Sequence, residues 1–136
     1  MIILKGSVVQ GCGHFKGRMT SFPEVFRKAT GEELVKGTLN VKVAEPVEVR
    51  HHFRIRGQEI DEAGQDLLFE VCRVNGIWAY RIRPYVLGSG KGGHGLDVLE
   101  ISSAQWIPNA TVGSTVEITL FRDDTIEGCS APTSAI

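Results

Sequence analysis

A hydroxyl and a carboxamide stand two residues apart in the segment Gly37-Thr38-Leu39-Asn40. In a β-strand, residues i and i+2 point to the same face, so the side chains of Thr38 and Asn40 would lie side by side. Their oxygen atoms suit Mg²⁺, which takes oxygen ligands and keeps several waters and substrate phosphates. Thr is also a common strand residue and Asn a common turn residue. The two residues alone therefore favour an ordinary strand segment, with a magnesium site as the alternative.

A glycine-rich stretch, Gly11-Cys12-Gly13-His14-Phe15-Lys16-Gly17, follows the first predicted strand. Its glycines would let backbone N–H groups turn toward an anion, and Lys16 could add positive charge at a phosphate. The stretch matches neither the P-loop nor the dinucleotide-binding motif. The residues alone leave two interpretations, a phosphate-binding loop or a simple strand-to-helix connection, and favour the connection.

A basic stripe alternates along the segment 47–55 and one residue beyond it, and consists of Arg50, His52, Arg54 and Arg56. Arg81 and Arg83, on another predicted strand, could extend it. The stripe could face an anionic ligand, but such a run is more often the solvated face of a half-buried strand. The solvated face is the favoured interpretation.

A second glycine-dense segment, Gly88–Gly95, contains Lys91 and His94. It could form a lid over a phosphate or the tip of a hairpin, and the residues favour neither. The three cysteines are widely spaced and include no C-x-x-C pair, which argues against a zinc site or a disulfide framework.

Alternating apolar and polar residues predict the strands that must position these side chains. The strands span 3–10, 39–43, 47–55, 67–74, 77–83, 98–101 and 116–121, and Asn75-Gly76 is typical of a hairpin turn. One short helix is predicted, with a capping-box pattern at Ser21 and Glu24 and a glycine stop at Gly31. Many short strands between glycine loops indicate a mostly β, closed barrel rather than a βαβ sheet.

Composition limits the classes of protein that the chain can belong to. Its 136 residues, 42% of them hydrophobic, suffice for one core, so we expect a single domain over 1–124 and a loose tail over 125–136. The 15 basic and 16 acidic residues nearly balance, which argues against a nucleic-acid partner. No apolar run is long enough for a membrane span, and the N-terminus lacks a signal-peptide pattern, so we expect a cytoplasmic protein without a membrane partner.

Several segments, taken together, resemble the CTP-dependent riboflavin kinase family. The front of the chain carries the likeness in Val8-Val9-Gln10-Gly11-Cys12-Gly13, in a short helix that ends at Thr30-Gly31, and in Gly37-Thr38-Leu39-Asn40-Val41-Lys42. Order and spacing both agree with the family. In the second half, 97–101 and 112–118 are similar to the family's segment before its nucleotide-contacting turn and to its closing strand.

The resemblance implies a six-stranded cradle-loop β-barrel with one or two short helices. It implies transfer of the CTP γ-phosphate to the riboflavin 5′-hydroxyl, which gives FMN and CDP. In this family pattern Thr38 and Asn40 bind Mg²⁺, and Glu100 is the acidic flavin contact. Nucleotide contacts fall on two groups of residues, Gly11, Cys12, Gly13, His14, Phe15 and Lys16 in the loop, and Gln105, Trp106, Ile107 and Pro108 in the turn.

Two other functions are compatible with the same sequence. One is a non-catalytic flavin- or nucleotide-binding barrel that has lost kinase specificity, and the other is a DNA-binding barrel, against which the balanced charge argues. Trp78, Tyr80 or Trp106 could pack on a flavin ring, although core packing is the expected role of each.

Overall fold

The fold, taken from a computed structural model, is described here for residues 1–11, 14–60, 65–85 and 95–122. Its elements in chain order are β1 (Ile2–Val9), α1 (His14–Ser21), α2 (Pro23–Thr30), β2 (Leu39–Val43), β3 (Phe53–Ile55), a 3₁₀ turn (Gly57–Glu59), β4 (Leu67–Val74), β5 (Ile77–Pro84), β6 (Val98–Ser102) and β7 (Thr115–Leu120). The predicted tail over 125–136 lies outside the described residues.

Six of the strands close into an antiparallel barrel in the order β4-β5-β6-β2-β1-β7, and β7 returns to pair with β4. The strand β3 lies outside the barrel as an added partner of β4. The predicted mostly β barrel of six strands with short helices is thus confirmed. Across the described ranges, no helix has the length and apolar character needed to cross a membrane.

Two hydrophobic clusters stabilise the fold on opposite sides of the barrel wall. The barrel interior is filled by aliphatic side chains from β1, β2, β4, β6 and β7, among them Val41, Leu99 and Ile118. The second cluster lies between the helices and the outer face of β3, β4 and β5, where Phe69 stacks on Phe53 with ring centroids 4.8 Å apart. The helices are therefore held by packing on the barrel's outer surface.

The first helix, α1, was predicted as part of a glycine loop, and that prediction was wrong. Phe15 and Met19 stand four residues apart, so they share one helix face, and both are buried in the outer cluster. An eight-residue helix is marginal in isolation, and packing of this kind supplies most of its stability. The capping-box prediction also failed, because Ser21 ends α1 and α2 begins after Phe22 with no side-chain cap. The stop at Gly31 is confirmed, with a left-handed φ of 78°.

The segment 47–55 forms a strand only over Phe53–Ile55, which is shorter than predicted. Buried charged side chains satisfy the backbone that precedes it. The Val47 and Glu48 carbonyls accept hydrogen bonds from Arg81 at 2.6 and 3.2 Å, and the Arg50 N–H donates to Glu70 at 3.3 Å. Because these groups already have partners, the segment does not need a strand ladder.

Candidate functional site

Four polar side chains meet on the outer face of the barrel where β2 and β6 pair. We call Thr38, Asn40, Glu100 and Ser102 the oxygen cluster. Asn40 and Glu100 are direct cross-strand partners, as are their neighbours Leu39 and Ile101. The Thr38 hydroxyl donates to Glu100 Oε2 at 2.7 Å, although 62 residues separate the two in the chain. Strand alternation explains the arrangement, because Val41 and Leu99 point into the barrel and their neighbours point outward.

Asn40 is the most constrained member of the oxygen cluster. Its side chain is only 4% exposed, and Oδ1 has no hydrogen-bond partner among the described residues. A buried acceptor without a partner costs about 1–3 kcal/mol. Such an atom needs an explanation in a native fold, and an ion or other ligand is one of the usual ones.

Gly11 brings the glycine loop against the oxygen cluster. A Cβ placed on Gly11 would lie 2.0 Å from Asn40 Nδ2 and 2.9 Å from Asn40 Cγ. Only glycine allows the backbone to approach the amide this closely. The loop and the Thr38–Asn40 segment, which the sequence analysis treated as separate candidates, therefore meet at one point.

Ser102 is a member that the sequence analysis missed. It is 2% exposed, and its hydroxyl likewise lacks a hydrogen-bond partner in the described part of the chain. The signal was its spacing, because Ser102 stands two residues after Glu100 and must share its face of β6. A lone serine at a strand end is too common to attract attention without knowledge of its burial.

A cavity of about 200 Å³ adjoins the oxygen cluster through Thr38. The residues of its wall come from 35–39, from β6 and from the turn after β6: Val35, Lys36, Gly37, Thr38, Leu39, Ile101, Ser103, Gln105, Trp106, Ile107 and Ala110. The turn is fixed by the Ser103 hydroxyl, which donates to the Gln105 carbonyl at 2.5 Å, and by a backbone bond from Val35 N–H to the Ser103 carbonyl. Mostly aliphatic side chains, with a few polar groups and the ring of Trp106, thus surround a concave space, as in many ligand sites.

Of the four residues predicted for the nucleotide turn, three line the cavity and one does not. Gln105, Trp106 and Ile107 line the cavity, and Trp106 stands at its rim with 81% of its surface exposed. Pro108 lies outside the lining, and its carbonyl accepts a hydrogen bond from Asn75 Nδ2 at 3.1 Å. Three of the four residues therefore share a wall with Thr38, while Pro108 anchors the turn to the β4–β5 hairpin.

The predicted phosphate loop is described only in part, because Cys12 and Gly13 lie outside the described residues. His14 begins α1. Phe15 packs into the outer hydrophobic cluster, so its ring does not face a ligand. Lys16 is exposed in the first turn of α1. Of this loop, Gly11 is the residue that the structure brings to the oxygen cluster.

The basic residues do not form the single surface that the extended stripe would require. Arg81 points into the barrel and is buried, so it cannot extend a surface patch. Arg54 pairs with Asp66 at 3.0 Å, and His52 Nδ1 accepts from the Val71 N–H at 3.0 Å. A backbone hydrogen bond from Gly57, followed by the Arg54 guanidinium, lowers the pKa of Asp66. The exposure of Arg50, His52, Arg54 and Arg56 agrees with the favoured solvated face. Lys91 and His94, in the second glycine segment, lie outside the described residues.

Inside the barrel, two arginines share one buried carboxylate. Glu70 accepts from Arg122 Nε at 2.6 Å and lies 3.9 Å from Arg81 Nη1. Burial lowers the pKa of Arg81 to about 10, which leaves it charged at neutral pH. Burial, with the nearby Glu70 charge, raises the pKa of Cys72 to about 12, so this thiol is not a nucleophile. These groups join segment 47–50 to the barrel and do not line the cavity.

The expected core packing holds for Tyr80 but not for the two tryptophans. Core packing was expected for both tryptophans and was wrong, since Trp78 is 53% exposed and Trp106 is at the cavity rim. Trp78 stacks on Phe121 at 5.3 Å, and the Arg73 guanidinium lies 4.3 Å from the centroid of the Trp78 ring. Tyr80 packs against the outer cluster and donates to Glu32, and burial raises its pKa.

The oxygen cluster fits a hard divalent cation. It combines a carboxylate, an amide oxygen and two hydroxyls, which are donors that Mg²⁺ accepts. Glu100 is its one carboxylate, and the described ranges contain no group of three or more His, Cys, Asp or Glu residues that could hold a metal. The unpartnered Oδ1 of Asn40 is the atom that a cation would satisfy.

Comparison of the sequence with protein-family models and with curated proteins gives no relative from which a role could be transferred. No protein-family model matches the chain, and no curated protein sequence matches it.

Proposed function

We propose that this chain is a phosphotransferase of the riboflavin kinase type, which transfers the γ-phosphate of a nucleoside triphosphate, CTP in the first instance, to the riboflavin 5′-hydroxyl. One observation carries the proposal. Gly11, Thr38, Asn40 and Glu100 come from three separate segments that the family resemblance selects, and they converge beside a cavity lined by Gln105, Trp106 and Ile107. Because it uses a nucleoside triphosphate, the proposed activity belongs in the cytoplasm.

Thr38 and Asn40 would hold Mg²⁺ beside the negative charge of Glu100, and in such a site the ion neutralises charge on phosphate oxygens. The cavity wall from Gln105 to Ile107 would bind the nucleotide, and the exposed ring of Trp106 offers a stacking surface for a base. Lys36, on the same wall, is a cation available to polyphosphate, and Lys16, exposed in the first turn of α1, is a second candidate. These residues chiefly position the two substrates, which is most of what phosphoryl transfer requires.

Glu100 is the side chain suited to orient the acceptor. Its Oε2 already accepts from Thr38, which leaves Oε1 to accept a hydrogen bond from the riboflavin 5′-hydroxyl. In the reaction, the hydroxyl oxygen forms a bond to the γ-phosphorus while the bond from that phosphorus to the bridging oxygen breaks. The bond's electron pair leaves with the nucleoside diphosphate, and the hydroxyl proton passes to Glu100. Partial exposure of Glu100 lets the proton reach solvent.

The test is to incubate the purified protein with riboflavin, Mg²⁺ and each nucleoside triphosphate in turn, and to measure FMN by chromatography. We expect FMN with at least one triphosphate. The Asn40→Ala variant should lose turnover by at least 100-fold and keep its fold, whereas Gln58→Ala, which removes an exposed amide from the 3₁₀ turn, should retain turnover. Full activity in Asn40→Ala would refute the role given to the oxygen cluster.

A non-catalytic flavin- or nucleotide-binding protein is the second candidate. Phe15 favours it, because this residue stands where the related loop carries a further glycine and its ring is buried in the outer cluster. A rise in melting temperature with riboflavin or a nucleotide, in the absence of any FMN, would select this alternative. Retention on duplex DNA at moderate salt would instead select the DNA-binding barrel.

A further inference from the structure

Strand position places Ser102 in the oxygen cluster, as it does the residues that the resemblance selects. Leu39 and Ile101 pair directly, Thr38 immediately precedes the first, and Ser102 immediately follows the second. Thr38 and Ser102 therefore lie side by side on the outer face, just beyond the last residue pair of the β2–β6 ladder. Asn40 and Ser102 are diagonal neighbours in this ladder, at a Cα separation of about 7–8 Å that side chains can bridge.

Two buried oxygen atoms in one cluster lack partners. Asn40 Oδ1 and Ser102 Oγ are the buried side-chain atoms without a hydrogen bond among the residues described, and both belong to side chains more than nine-tenths buried. Two such atoms on adjacent strands can be satisfied by one shared partner, such as a bound ion. The partner of Asn40 Oδ1 must be a cation or a hydrogen-bond donor, because an amide oxygen can only accept a hydrogen bond.

We infer that Ser102 supplies a further oxygen to the divalent cation site formed by Thr38 and Asn40 beside Glu100. The carboxylate gives the cluster a negative charge, which favours a cation over an anion. Oxygens that bind one Mg²⁺ lie within about 4.2 Å of each other, and the Asn40 and Ser102 side chains extend from positions close enough for this. This role for Ser102 rests on the cation site of the proposed function and is independent of the substrates.

The test measures Mn²⁺ binding by electron paramagnetic resonance, without nucleotide or flavin, together with the melting temperature in chelator. Ser102→Ala removes an unpartnered buried hydroxyl, so without metal its melting temperature should equal or exceed that of the wild type. Its affinity for Mn²⁺ should nevertheless fall by at least about tenfold. Ser7→Ala, which changes an exposed serine on the outer face of β1, should bind Mn²⁺ as the wild type does.

Asn40→Ala, measured in parallel, separates the two proposals. If it loses Mn²⁺ and Ser102→Ala binds normally, Ser102 has no part in the site and the proposed function stands. If both lose Mn²⁺ and no triphosphate yields FMN, the role of Ser102 stands and the proposed substrates are wrong. A wild-type protein that binds no Mn²⁺ would overturn the cation site, and the role of Ser102 with it.

Discussion

Gly11→Ala tests the contact on which the candidate site depends. The new Cβ would lie 2.0 Å from Asn40 Nδ2, far inside contact distance, so the amide must rotate away. Rotating a side chain off its rotamer costs about 0.5–1.5 kcal/mol, and overpacking costs about 1–3 kcal/mol. Replacing by alanine a glycine that is not in a left-handed conformation stabilises the folded protein by about 0.4–1 kcal/mol, because the unfolded chain loses conformational entropy. We therefore expect a net loss of about 0.5–4 kcal/mol, centred near 2 kcal/mol, and a folded protein.

The displacement of the amide should have a larger effect on ligand binding than on stability. Because Asn40 leaves the oxygen cluster, the affinity for Mn²⁺ should fall at least about tenfold. A double-mutant cycle identifies the cause. In an Asn40→Ala background the clash is absent, so Gly11→Ala should then stabilise by about 0.4–1 kcal/mol. The assay is urea unfolding of the four proteins, with Mn²⁺ titration of the wild type and Gly11→Ala.

Gly17→Ala is the matched control for this cycle. Gly17 lies in α1, and a Cβ there would meet no described atom within 4 Å. The substitution should stabilise the protein by about 0.5–1 kcal/mol, because alanine favours a helix more than glycine does. Equal destabilisation by Gly11→Ala in both backgrounds, to within about 0.5 kcal/mol, would refute the contact between Gly11 and Asn40.

Two further predictions concern charged groups away from the site. Glu70→Gln leaves two buried arginines without their shared carboxylate, so we expect the free energy of unfolding in urea to fall by about 3–5 kcal/mol. The exposed Glu117→Gln should change it by less than about 0.5 kcal/mol. A Glu70→Gln protein as stable as the wild type would show that the two arginines do not need the negative charge of Glu70. The folded pKa of Asp66 is lowered from its ordinary value of 3.8, so its contribution is complete above about pH 4 and is lost as the pH falls through the lowered pKa. The stability difference between wild type and Asp66→Asn should accordingly shrink between pH 5 and about pH 2, and a constant difference across that range would contradict the lowered pKa and the contacts with Gly57 and Arg54 that cause it.

The strands were largely predictable because their alternation is strong and local. β2 spans 39–43 as predicted, and the hairpin at Asn75-Gly76 has the positive φ angles that its residues suggest, 50° and 82°. Alternation also separated the two faces of β5 correctly. It could not indicate which face is inside, and the inner face contains Arg81 while Trp78 lies outside. The reason is a partner 11 residues away on β4, since Glu70 stabilises the buried guanidinium.

Residue type and the alternation of side chains along a strand made one part of the candidate site predictable, the pair Thr38 and Asn40. Thr38 and Asn40 share a face because they are two residues apart in an extended segment. Their contact with Glu100 depends on the pairing of β2 with β6, which no local pattern specifies. The role of Gly11 depends on a close approach between a loop and a side chain, and that of Ser102 on burial. Both arise only when the barrel closes.

The filled interior of the barrel determines where chemistry can take place. A six-stranded barrel is narrower than the eight-stranded barrels whose interiors side chains just fill. Here the inside is occupied by aliphatic residues and by the buried charges of Glu70, Arg81 and Arg122. A ligand must therefore bind on the outer wall or at a rim. Among the described residues, the β2–β6 pair is where the outer wall bears buried polar atoms without partners and adjoins a cavity. A substrate that bridges the two would satisfy both features.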